Sequence, residues 1–197
     1  MTIARPAPQS PASAWGRALR LLARRDRSEQ ELRRALLRGG TEDHEVEAIL
    51  ERLRARGYLD DERYAERFAR SGLAVRGLGR HRLRAELLRR GIRRPVLERG
   101  LAEALGEVPE VAVVETQALK YWRLHQRDLP ARRIQKLWAF LLRRGFPADL
   151  VRERLEHLWP RASRTLPGFD HEAPDTFSSG TAVRRRGFRQ KASEPKP

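Results

Sequence analysis

The chain contains no cysteine, which excludes disulfides, thiolate chemistry and Cys-based zinc sites and fits a reducing compartment. It has no apolar run near the roughly 18 residues of a membrane span, and its first residues, MTIARPAPQSPASA, lack the apolar centre of a signal peptide. A soluble cytoplasmic protein with no membrane partner is expected. Alternating β-branched patterns are also missing, which argues against strands. The five histidines, His44, His81, His125, His157 and His171, are scattered without ligand spacing, so no metal site is expected. No Gly-x-Ser-x-Gly setting occurs, and GLGR at 77–80 lacks the strand and Gly-Lys-Ser/Thr ending of a phosphate loop. No catalytic residue, cofactor or enzymatic activity is expected. Lysine is scarce: only four of the 42 basic residues are lysines. Acidic residues number 26, leaving a net charge of +16. An arginine-rich balance of this kind favours a polyanionic partner, either nucleic acid or an acidic protein surface.

The 197 residues are enough for one large or two small domains. Residues 1–13 and 161–197 are rich in Pro, Ala, Gly and Ser, and read as disordered tails. The C-terminal tail is basic and carries the run Arg184, Arg185 and Arg186, more readily a solvated stretch than a binding site. Between the tails, apolar residues recur three and four apart, the period of amphipathic helices. Trp15, Leu19 and Leu22 begin such a stripe. Ser28 and Glu31 have the spacing of a capping box, and the helix they open stops at Gly39-Gly40. The next carries Val46, Ile49, Leu50 and Leu53 and ends at Gly57.

A repeat emerges from these helices. The string Leu-Leu-Arg-x-Gly occurs at 36–40, 87–91 and 141–145. Eight residues before each final glycine stand Leu32, Leu83 and Leu137. Six residues after stand Val46, Leu97 and Val151, and ten after stand Leu50, Leu101 and Leu155. Each copy is preceded by a further helical stretch. The expected fold is all-α: three tandem three-helix repeats at 14–57, 58–106 and 107–160, stacked into an elongated curved body.

The repeat assigns a role to the adjacent carboxylates of GYLDDERYAERF. Asp60, Asp61 and Glu62 stand where the first helix of the second unit begins, and Asp60 or Asp61 is its expected N-cap. Tyr64 and Phe68 then open an apolar stripe.

The charge is unevenly placed. Residues 42–66 carry nine acidic and four basic side chains, whereas 76–94 hold eight arginines and one glutamate. At 100° per residue, Leu83, Leu87 and Leu88 share one side of that second helix, with Arg82 and Arg89 opposite. Lys136 and Arg143 occupy the same offsets in the third unit. A bipolar molecule is expected, acidic in unit one and basic in units two and three. The candidate partner- and DNA-binding residues of unit two are Arg76, Arg80, Arg82, Arg89, Arg90, Arg93 and Arg94. Those of unit three are Arg132, Arg133, Lys136, Arg143 and Arg144. A DNA-reading helix-turn-helix centred on each repeated glycine is disfavoured, because the helix after the glycine is acidic in unit one and mixed in unit three.

RSEQELRRALLRGG, GYLDDERYAERF, GLGRHRLRAELLRRGI and RRGFPADLVRERLEHL resemble, in order, the motifs of the bacterial RecX family over about residues 15–160. The Gly-Tyr-Leu-Asp-Asp element is the most specific. The chain departs from the family pattern in its long tail and at Ser71-Gly72, where many relatives carry arginine. The resemblance implies tandem three-helix repeats and a non-enzymatic modulator of the RecA recombinase. Such a protein binds the RecA–single-stranded-DNA filament, most often restraining ATP hydrolysis, strand exchange and cleavage of the SOS repressor, in DNA repair and homologous recombination. Weak duplex binding and a monomeric state are expected alongside. The family offers no sharp set of functional residues to carry over, so the site residues above rest on charge geometry. A stand-alone nucleic-acid-binding helical-repeat protein, using the same arginines on phosphates, is the competing reading.

Overall fold

The computed structural model describes residues 13–166. Among them all regular structure is helical: α1 (Ala14–Arg24), α2 (Glu29–Arg38), α3 (Asp43–Ala55), α4 (Asp61–Ala74), α5 (Arg80–Arg89), α6 (Arg94–Glu107), α7 (Glu110–Leu124), α8 (Pro130–Arg143), α9 (Ala148–Leu158) and α10 (Pro160–Ser163). Helices α1–α3, α4–α6 and α7–α9 form the three expected units. Apart from Ser13 and residues 161–166, the expected disordered tails lie outside the described residues, as does the Arg184–Arg186 run. The folded chain continues past residue 160: α10 packs on α8 and α9, and Ser163 and Leu166 are buried.

Local chemistry explains where the helices begin and end. Ser28 Oγ accepts from the Glu31 amide at 3.1 Å while Glu31 reaches back to the Ser28 amide at 3.3 Å, a complete capping box. The repeated Leu-Leu-Arg-x-Gly string is a helix stop. In each copy the glycine amide bonds the second leucine's carbonyl, as Gly91 does to Leu88 at 2.9 Å. The next residue's amide reaches the first leucine, as Ile92 does to Leu87 at 3.2 Å. This is the Schellman arrangement, which needs a left-handed residue at the glycine. Gly40, Gly91 and Gly145 supply it, with φ of 78°, 83° and 87°.

The string also sorts its own leucines. The first, Leu36, Leu87 and Leu141, is buried in every unit. The second faces outward, with Leu37, Leu88 and Leu142 at 37%, 40% and 36% exposure. Leu88 therefore leaves the side expected for it beside Leu83 and Leu87, both fully buried. Unit one closes over Trp15, Ala18, Leu32, Leu36, Leu50 and Leu53. In unit two, α4 and α6 form the most extensive helix pair. Gly100 permits their approach, since a Cβ there would lie 2.8 Å from the Glu66 amide nitrogen. Gly72, one of the departures from the family pattern, is buried with no room for a side chain, because a Cβ would overlap Leu83.

The units join by one device used twice. The N-terminus of a unit's middle helix abuts the glycine turn ending the next unit's middle helix. At the first junction Ser28 Oγ donates to the Arg90 carbonyl at 2.5 Å, and Gly91 lies against Gln30. At the second, the amides of Gly79 and His81 donate to the carbonyls of Arg144 and Gly145, both at 2.9 Å. The first helix of the following unit then adds a carboxylate. Asp61 Oδ1 accepts from the Glu29 amide at 2.9 Å, and Glu110 Oε1 accepts from the Arg80 amide at 2.6 Å. Both carboxylates open their own helix and cap the first amide of the preceding unit's middle helix, a donor without an intrahelical partner. The start of α8 has neither fitting: its N-cap is Leu129, 76% exposed, and its first residue is Pro130, which has no amide proton.

Candidate functional site

The acidic trio resolves into separate tasks. Asp60 caps its own helix, its Oδ1 accepting from the amides of Glu62 and Arg63 at 3.0 Å each. Asp61 turns to unit one as described, and burial pushes its carboxyl above the ordinary value, with the Glu29 amide partly offsetting this. Glu62 pairs with Arg99 on α6. Among the described residues no group of three or more His, Asp or Glu is placed to hold a metal ion. No described helix is long and apolar enough to cross a membrane.

The arginine-rich segment 76–94 is organised around its one glutamate. Glu86 is buried and accepts from Arg82 Nε at 2.9 Å and Arg76 Nη1 at 3.2 Å, with Arg90 at 3.8 Å and Arg89 at 4.0 Å. Burial alone would raise its carboxyl, but the hydrogen bonds from Arg82 and Arg76, with the charges of Arg76 and Arg90, hold it below its ordinary value. Arg76 and Arg90 also lie over the Phe68 ring, 4.6 and 4.3 Å from its centre.

The twelve candidate cations divide by what their guanidinium or ammonium groups already hold. Arg80 is tied to the buried Glu110. Arg144 donates across the second junction to the carbonyls of Arg76 and Gly77. Arg133 closes the α7–α8 loop through the carbonyls of Gln126 and Asp128, at 2.6 and 2.8 Å, and covers Trp122. Arg76, Arg82 and Arg90 belong to the Glu86 cluster, and Lys136 pairs with Asp128 at 2.8 Å. Arg89 is exposed, with Glu86 only at the limit of ion pairing. Arg93, Arg94, Arg132 and Arg143 are exposed with no hydrogen bond or ion pair among the described residues. Of the twelve, these five are the ones whose charged groups are exposed and not tied into the fold.

Unit one is not the acidic end expected of a bipolar molecule: residues 14–57 hold eleven arginines against eight acidic side chains, because α1 and α2 are arginine-rich and the acidic 42–66 stretch runs on into unit two. Arg17, Arg20 and Arg24 of α1 and Arg38 of α2 line a common groove. The charge count, centred on residues 42–66, passed over them. Their spacing of three and four along α1 was the available signal.

The chain matches three family models in register with these units: RecX first three-helix domain over residues 14–53, second over 60–101 and third over 109–155. A protein of Prosthecochloris aestuarii called Regulatory protein RecX is 37% identical over 145 residues, spanning 74% of this chain and 93% of that one. Another so named, from Halorhodospira halophila, is 41% identical over 137 residues, spanning 68% and 81%. Among solved structures, RecX from Lactobacillus salivarius superposes with a TM-score of 0.65 at 21% identity, over 74% of this chain and 94% of that one; at that identity the likeness speaks for the fold. A second crystal structure, of regulatory protein RecX, gives 0.64 at 26% identity over 73% and 70%. With its three units matched in order and its length largely shared with these relatives, the chain belongs to the RecX family.

Proposed function

We propose that this protein is a non-enzymatic regulator that binds the RecA–single-stranded-DNA filament and restrains its ATP hydrolysis, strand exchange and co-protease activity. Family membership across all three units carries the reading. The separation of the cations supports it: structural arginines lock the units together, leaving Arg89, Arg93, Arg94, Arg132 and Arg143 available to phosphates or acidic side chains. Three joined units laid along a filament gain avidity from individually weak contacts, because each bound unit raises the effective concentration of the next. The protein acts in the cytoplasm as a monomer, with single-stranded DNA contacted in the filament and duplex bound weakly.

The test is RecA ATPase on single-stranded DNA titrated with this protein. Inhibition at sub-stoichiometric ratios is expected. Inhibition that appears only when the protein saturates free DNA, and that an unrelated single-strand binder reproduces, would favour the stand-alone nucleic-acid-binding reading.

A further inference from the structure

The groove of unit one, between α1 and α2, has a volume of about 270 Å3 and is lined by Arg17, Arg20, Leu21, Arg24, Ala35 and Arg38. Leu21, Ala35 and the arginine stems make an aliphatic floor, the guanidinium groups make the rim, and no carboxylate is among the lining residues. Arg24 and Arg38, one on each wall, are both exposed. Arg17 is fixed in the wall by its hydrogen bond to Thr41 Oγ1 at 2.8 Å, yet its buried Nε meets no acceptor among the described residues. Arg27 nearby feels the crowding of like charge. Burial, then the charge of Arg25, with Arg38 and Arg24 adding, outweigh the attraction of Glu31 and push it below its ordinary value.

We propose that this groove docks an acidic peptide segment of a partner protein, seating one aliphatic side chain on Leu21 and Ala35 and pairing flanking carboxylates with Arg24 and Arg38. Guanidinium forks match carboxylates two bonds at a time, and a shallow apolar floor between them takes a single anchor residue. A phosphodiester strand would use the rim but gain nothing from the floor. No aromatic side chain lines the groove to stack a base, the usual means of gripping single strands. The proposal uses a face separate from the five open cations of units two and three, and it does not depend on the RecA reading.

The experiment uses the full chain and a fluorescein-labelled peptide of about twelve residues, glutamates around one central leucine, followed by fluorescence anisotropy. Saturable binding is expected, with Arg24→Glu plus Arg38→Glu weakening it by about tenfold or more. Arg132→Glu plus Arg143→Glu imposes the same charge change on unit three and should weaken it by no more than about threefold. Replacing the peptide's leucine with serine should weaken binding by about fivefold or more through loss of the buried anchor. Circular dichroism confirms that both variants are folded. Equal losses in the two variants would reduce the effect to net charge, and indifference to the leucine would remove the anchor; either result overturns the proposal. So would an oligothymidylate probe losing more affinity than the peptide in Arg24→Glu plus Arg38→Glu, since the groove would then belong to nucleic acid. RecA ATPase inhibition, measured in parallel, separates failure of this proposal from failure of the functional reading.

Discussion

Replacing Asp61 with alanine should loosen unit one rather than the helix that Asp61 opens. The substitution removes the acceptor for the Glu29 amide, held at 2.9 Å, and leaves the start of α2 dependent on Ser28. A hydrogen bond to a charged group contributes about 1.5–3 kcal/mol and loss of a helix cap costs about 0.5–2 kcal/mol. Burial of the Asp61 carboxylate opposes its own ionisation, so the net loss should fall at about 1–2 kcal/mol, or roughly 5–30-fold in a local opening equilibrium. In a repeat array such a loss acts on the interface between neighbours. Hydrogen exchange with mass spectrometry at neutral pH should show α1–α3 amides accelerated by that factor while α7–α9 change little. Asp60→Ala should instead accelerate the first turn of α4, where its two amide bonds lie. Asp61→Asn retains an acceptor and should recover most of the protection. Its pH profile carries a further signature. Because the folded carboxyl is raised, the native state holds the proton more tightly, and stability declines as pH climbs from the ordinary carboxylate value through the raised one. Asp61→Asn should abolish that decline. If Asp61→Ala accelerates α4 and leaves α2 protected, the junction described here is wrong.

The glycine turns allow a graded test. Gly40→Ala meets open space and should cost only the left-handed strain of about 1–2 kcal/mol, Gly91→Ala more because its Cβ would overlap the Gln30 side chain, and Gly145→Ala most because it would overlap the Arg82 backbone; urea melts give the order, and equal costs would refute the junction packing. The depressed Glu86 carboxyl gives stability that is full above the ordinary carboxylate value and lost as pH falls through the lowered one, so Glu86→Gln should flatten the acid side of a melting-temperature profile. Alanine at Arg89, Arg132 or Arg143 should alter folding stability by no more than about 0.5 kcal/mol. Each phosphate contact so lost should reduce the salt slope of oligothymidylate binding by about 0.7; an unchanged slope removes that residue from the interface.

Local rules made much of the fold legible. The Ser28–Glu31 box and the Leu-Leu-Arg-x-Gly stops are written in neighbouring residues, and Leu32, Leu83 and Leu137 are buried at matched positions. Helical periodicity gave the wrong side for Leu88 because the apolar stripe was drawn too wide: at about 100° per residue Leu88 stands roughly 140° from Leu83, at the stripe's edge, and there it is 40% exposed. Asp61 was legible as a helix-start carboxylate, but its acceptor role belongs to a helix 32 residues away. Glu110 was invisible for the same reason. Charge counting could not separate Arg144, held by the carbonyls of Arg76 and Gly77, from its exposed neighbour Arg143. Sequence shows where positive charge is; the division between mortar and open contact depends on carbonyls and carboxylates brought in from other units.

The bare start of α8 sets how far the array can count. Each junction needs a small or hydroxylic residue at the helix entrance and a free first amide for the next unit's carboxylate. Ser28 with Glu29, and Gly79 with Arg80, satisfy both demands. Leu129 and Pro130 satisfy neither, so they act as a full stop after the third unit. A second molecule cannot dock there by the chemistry that joins the units within one chain.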